Sequence, residues 1–209
     1  MTAVTTLMIH AGPAPEDAPI NRTGGLPLLP DDVEWPRCRD CGGNLQFIAR
    51  LVQDQRVVQV FMCDNDPGSC ESWEPNGANA VLVAPAGPAP VRRPPAEGVT
   101  TLGSVSAFEL VHSDAVPAKP YSEPYDAARE EWLAGSGRKG RQILGQLGGT
   151  PSWIQGDQVP DCPECGVPQR FVAQLEEGAD HRTSANYGGG CAYVFACAEH
   201  DLGTFLWQQ

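Results

Sequence analysis

The sequence predicts a mainly β (α+β) protein, built as two pseudo-symmetric β lobes from an internal duplication, with one helix in the insert between them. Two observations carry this expectation. Short segments that alternate apolar and polar residues recur on either side of the middle of the chain, and the two ends of the chain align with each other. Residues 24–51 set against 148–175 keep a constant offset of 124, and 10 of the 28 pairs are identical. They include Gly24/Gly148, Gly25/Gly149, Pro36/Pro160, Cys38/Cys162, Cys41/Cys165 and Phe47/Phe171. Further on the offset becomes 134, and Val60, Phe61, Cys63 and Trp73 match Val194, Phe195, Cys197 and Trp207. The period is too long and the copies too few for a solenoid, so the repeat reads as two similar lobes. The 209-residue chain is then one unit, with a first half at 24–77, an insert at 78–147 and a second half at 148–209.

Each element has a local reason. In the first half LQFIARLV (Leu45–Val52) alternates as a half-buried strand does, and RVVQVFMC supplies the second arm of a hairpin. DNDPG (Asp64–Gly68) is a turn by composition. In the insert NAVLVA (Asn79–Ala84) and SVSAFELVH (Ser104–His112) read as strands, separated by a Pro-rich stretch, Ala84–Gly98, that cannot form a regular element. One helix is expected near Tyr125–Ala134, with Ser122 as its cap, Pro124 early in it and Gly135 as its stop. In the second half QRFVAQLE (Gln169–Glu176) and CAYVFAC repeat the hairpin. Trp35, Trp73, Trp153 and Trp207 read as packing residues, and the recurrence of Trp73 and Trp207 in the two halves favours that role.

The cysteines carry the chemistry. Each half has a Cys-x-x-Cys-Gly, at Cys38/Cys41 and Cys162/Cys165. Two thiolates three residues apart reach one tetrahedral zinc when the backbone turns between them, and the following glycine suits such a turn. These are zinc-knuckle signatures, and with them each lobe becomes a zinc-knuckle β lobe. The rival is a thioredoxin-like redox pair, which opens a helix after a strand; here each pair precedes a strand and has further ligands downstream. In the first half those are Cys63 and Cys70. In the second half Cys197 is clear, and the fourth ligand is His200 or Cys191. Along an extended strand Cys191 would lie some 20 Å from Cys197, whereas Cys-Ala-Glu-His closes in a turn. The preferred sets are therefore Cys38, Cys41, Cys63, Cys70 and Cys162, Cys165, Cys197, His200, with Cys191 as the alternative. Two four-ligand sites leave no open position for water or substrate, so two structural zinc ions are expected and no catalytic one.

Composition bounds the function. The N-terminus has no basic n-region and no long apolar stretch, which sets the expectation of a cytoplasmic protein with reduced thiols and no membrane span. The formal net charge is −12. Such a field repels nucleic acid and anionic membranes, and suits either solubility or a basic protein partner. Arg138, Lys139 and Arg141 sit among glycines as a solvated loop. Neither Gly-x-Ser-x-Gly, a phosphate-binding Gly-rich loop nor His-Glu-x-x-His occurs, and His10, His112 and His181 stand isolated. The expectation is a non-catalytic zinc protein that binds a protein partner. An enzyme using a cleft between the lobes is one rival, and a zinc-ribbon nucleic-acid binder is another that the charge opposes.

Two resemblances rest on quoted residues. GGLPLLPDDVEWP (Gly24–Pro36), LGGTPSWIQG (Leu147–Gly156) and the closing GGGCAYVFACAEHDLGTFLWQQ resemble the YwqG-like bacterial family of unknown function. The second half is also similar to the programmed cell death protein 2 family, through Leu147, Gly148, Gly149, Pro151, Trp153, Cys162, Cys165, Gly166, Gln174, Leu175 and Cys197. The second resemblance implies a cytosolic, metal-binding chaperone for a ribosomal protein, and the first implies an immunity role against toxins. Both imply protein binding, by analogy of fold.

Overall fold

The computed structural model describes residues 4–53, 55–98, 100–178 and 185–209. His181 lies outside them. The strands, in chain order, are β1 (Thr5–Gly12), β2 (Arg22–Thr23), β3 (Gln46–Gln53), β4 (Arg56–Met62), β5 (Asn79–Pro85), β6 (Ser106–Ser113), β7 (Ile143–Leu147), β8 (Arg170–Glu176), β9 (Cys191–Ala196) and β10 (Gly203–Gln208). Among the described residues one α-helix, α1 (Pro124–Ser136), lies between β6 and β7, followed by a short 3-10 turn at Gly140–Gln142.

All ten strands join one sheet in the order β10-β9-β8-β7-β1-β6-β2-β3-β4-β5, and every neighbouring pair is antiparallel. The sheet curls until its two ends nearly meet, where Leu82 of β5 bridges Leu202 at the head of β10. Such closure removes most of the exposed edge that an open sheet presents. The order also reads alike from both ends. From one side it runs β5-β4-β3-β2-β6 and from the other β10-β9-β8-β7-β1. The innermost strands are exchanged: β1 precedes β2 in the chain yet pairs with β7, and β6 precedes β7 yet pairs with β2. Both halves therefore share one continuous sheet instead of forming two separate lobes.

Side-chain alternation divides the apolar residues between the two faces of this sheet. Val58, Val60 and Met62 of β4 and Ala192, Val194 and Ala196 of β9 join one central cluster with Met8 of β1. The intervening residues point the other way. Phe61 packs with Phe47, Trp35 and Cys38 over the first half, and Phe195 packs with Tyr193, Phe171 and Trp153 over the second. Phe47–Phe61 and Phe171–Phe195 meet edge to face at 5.3 and 5.7 Å, a favoured aromatic arrangement. A β-bulge falls between Phe47 and Ala49 in β3 and again between Phe171 and Ala173 in β8. It turns each Phe out toward its knuckle while Ala49 and Leu51, and Ala173 and Leu175, stay in the central core.

The helix packs Tyr125 and Ala128 on Leu7, Ile9 and Ile143. Its start differs from the expected Ser122. Glu123 is the N-cap, in a reciprocal capping box with Asp126, which satisfies two end groups where a lone Ser would satisfy one. The stop is Gly137, in the left-handed conformation at φ 65°, two residues beyond Gly135.

Candidate metal centres

The geometry begins in the two knuckles, which fold by the same hydrogen bonds. The Cys38 N–H donates to Gly43 O at 2.8 Å and the Gly42 N–H to Cys38 O at 2.9 Å; in the second half Cys162 and Gly166 repeat these bonds at 2.9 and 2.8 Å. Gly42 and Gly166 take φ values of 70° and 66°, a conformation costly for residues with a Cβ. Each knuckle feeds directly into the bulged strand, β3 or β8. The third ligand comes from the residue after the hairpin's second arm, Cys63 after β4 and Cys197 after β9.

All eight residues of the two preferred sets come together as two groups of four, Cys38, Cys41, Cys63, Cys70 and Cys162, Cys165, Cys197, His200, with the ligand atoms of each group within 4.8 Å of one another. A tetrahedral ion with metal–sulfur bonds of about 2.3 Å holds its sulfurs about 3.8 Å apart. Cys41 Sγ lies 3.8 Å from Cys63 Sγ, and Cys165 Sγ lies 3.8 Å from Cys197 Sγ. His200 Nδ1 stands 3.7 Å from Cys162 Sγ and 3.4 Å from Cys197 Sγ, which brackets the roughly 3.6 Å sulfur–nitrogen edge of the same tetrahedron. The donor sets thus fit a metal ion. In each group the second thiol of the knuckle, Cys41 or Cys165, is exposed and the other thiols are buried.

Backbone amides face the sulfurs. The Asp40 N–H approaches Cys38 Sγ at 3.4 Å and the Glu199 N–H approaches Cys197 Sγ at 3.4 Å. Donation from the Gly43 amide holds the Cys41 thiol down at about 7, and donation from the Glu199 amide, with His200 behind it, holds Cys197 at about 6. Both are inclined toward the thiolate form that a metal requires. Burial pushes Cys63 the other way, to about 11, and raises Cys70 further, as desolvation of a buried thiolate dictates in the absence of a counter-charge. His200 turns its Nε2 toward Glu164, 3.4 Å away. A carboxylate there favours the tautomer with the proton on Nε2 and leaves Nδ1 free to coordinate.

Cys191 stands apart. It opens β9, and its thiol donates to Tyr193 Oη at 3.2 Å and accepts from Gln174 Nε2 at 3.3 Å. Burial pushes it up to about 12.

Each metal loop also grips the other half of the molecule. Arg56 of β4 donates to Cys197 O at 2.5 Å and His200 O at 2.7 Å, and pairs with Asp201 at 3.1 Å. In return, the loop after Cys70 holds Trp207 of β10: the Trp207 indole N–H donates to Ser72 Oγ at 3.2 Å, and its backbone N–H donates to Trp73 O at 3.2 Å. The expected equivalence of Trp73 and Trp207 gives way here. Met62 faces Asn79 across the β4–β5 ladder and Ala196 faces Gly203 across β9–β10, so the offset returns to 124 and Trp207 corresponds to Val83. Trp73 lies in a loop, and the two rings touch edge to face at 6.1 Å. The ten residues by which the first metal loop is longer had masked this shift. Glu164 and Arg56 were not anticipated. Glu164 lies inside the second Cys-x-x-Cys, where it could have been suspected, whereas Arg56 reaches across 141 residues and has no local signal.

No family model matches the chain. A 64-residue stretch, 31% of the chain, is 34% identical to the uncharacterized protein YpfL of Salmonella typhimurium. The match covers 15% of that protein's length. Among the described residues no helix is long and apolar enough to cross a membrane.

Proposed function

We propose that this chain is a non-catalytic protein-binding module in which two structural zinc ions, one per half, hold the metal loops of a duplicated β unit. The observation that carries the reading is the saturation of both clusters. Four converging donors in tetrahedral spacing leave no position for a substrate or an activated water. Zinc suits thiolate and imidazole donors in this geometry, and its binding energy adds to folding energy. The matching knuckles, bulges and hydrogen bonds at one offset support descent of the two halves from one unit. The net charge of −12 supports a basic protein partner over a nucleic acid. The resemblances to the YwqG-like and programmed cell death protein 2 families point the same way, and both supply an analogy of fold only. A cytoplasmic setting fits thiols that serve as ligands.

Native mass spectrometry on protein purified without chelator tests this reading. The expected result is a mass increment of two zinc ions over the denatured chain, together with a co-purifying basic protein. A chain with no bound metal and with oxidised thiols would sink it.

A further inference from the structure

A cavity of about 430 Å³ lies where the two ends of the sheet meet, between the first metal loop and β10. Its size suits a side chain with its flanking backbone. Trp73 and Trp207, both partly exposed, line it together with Met62, and among the described residues Asp64 is the one acidic side chain that lines it. No lysine or arginine lines it among the described residues. The Trp207 ring is held in place, since its indole N–H donates to Ser72 and its ring contacts those of Trp73 and Tyr187.

We propose that this cavity is the anchor site for an arginine side chain on a basic segment of the partner. Indole rings attract a planar cation, and Arg stacks on aromatic faces while keeping its fork of donors for oxygen acceptors. Asp64 supplies the opposite charge. A neutral apolar side chain would use the tryptophans and leave the half-buried Asp64 without a cationic partner. The cavity also borders Cys63 of the first cluster. Four thiolates around a divalent ion retain two negative charges, so the neighbouring wall is anionic as well. That contribution, and the existence of a partner, rest on the reading of the previous section.

The test is a titration of the full zinc-loaded chain, labelled with ¹⁵N, with Nα-acetyl-arginine methylamide and with Nα-acetyl-citrulline methylamide, its uncharged isostere. The arginine probe is expected to move the indole resonances of Trp73 and Trp207 and to bind about five- to tenfold more tightly than the citrulline probe. In Asp64→Asn, with two zinc ions still bound, that preference should fall to within about twofold. Equal affinity for the two probes, shifts confined to other tryptophans, or an unchanged preference in Asp64→Asn would overturn the proposal. Zinc content separates the two failures. A chain that holds two zinc ions but does not discriminate the probes removes the anchor site alone, whereas a chain without zinc removes the structural reading first.

Discussion

Cys191 and His200 show how one backbone conformation decides which side chain joins the second cluster. Cys197 lies six positions after Cys191, and an extended strand carries them about 20 Å apart. The three residues after Cys197 turn back, and His200 Nδ1 reaches two sulfurs. Cys191 is instead committed to Gln174 and Tyr193 inside the second half. We therefore expect Cys191→Ser to keep two metal ions and His200→Ala to lose one, read by the mass of the native protein. The two groups of four were legible in the sequence because Cys-x-x-Cys pairs announce themselves by spacing. Arg22 was not. It is fully buried, and it donates to the carbonyls of Ala18, Gly24 and Leu26. Burial lowers it to about 10, so it stays charged at neutral pH. Nothing in Asn-Arg-Thr-Gly-Gly marks an arginine that will be enclosed by backbone oxygens, because those oxygens are assembled only by the folded loop.

Among the elements, the hairpins β3–β4 and β8–β9 were legible from alternation, as were β5, β6 and the helix. β1, β2, β7 and β10 were not anticipated. β1 is a short apolar run whose period is ambiguous, β2 is two residues long, and β7 contains Gly145, a residue that weakens a strand reading. Gly24 and Gly148, matched in sequence, follow β2 and β7 with φ values of 68° and 64°. Their surroundings differ. A Cβ at Gly24 would stand 2.3 Å from the backbone oxygen of Ser104, whereas at Gly148 it would meet the flexible end of Gln53 at 3.2 Å. Gly148→Ala should cost about 1 kcal/mol for its backbone conformation. Gly24→Ala should cost about 2 kcal/mol more, because backbone must move to admit the methyl group. Urea-unfolding midpoints on the two variants check the difference, and equal losses would refute it.

At the scale of the whole molecule, sequence reasoning expected two separate lobes and missed the single sheet that joins their strands. Strand exchange is a long-range pairing that no local pattern encodes. The reciprocal grip of the two cluster loops is equally non-local: Arg56 holds the second loop by the carbonyls of Cys197 and His200, and Ser72 and Trp73 of the first loop hold β10. Arg56→Gln should weaken metal retention at the second cluster about tenfold, the lower end of what outer-shell partners contribute, and leave the first cluster unchanged. Chelator competition followed site by site measures this, and an equal loss at both clusters would count against it.

The exchanged strands also determine what breakage does. The connection at 86–98 is largely exposed, and a single cut there divides the chain into a piece bearing β1 to β5 and a piece bearing β6 to β10. Each piece keeps a strand that belongs, by pairing, beside the other's. To come apart they must surrender the β1–β6, β1–β7 and β2–β6 ladders as well as the bridge between Leu82 and Leu202. The severed protein is thus a heterodimer already assembled, and its two fragments are natural complements of the kind used to build split reporters.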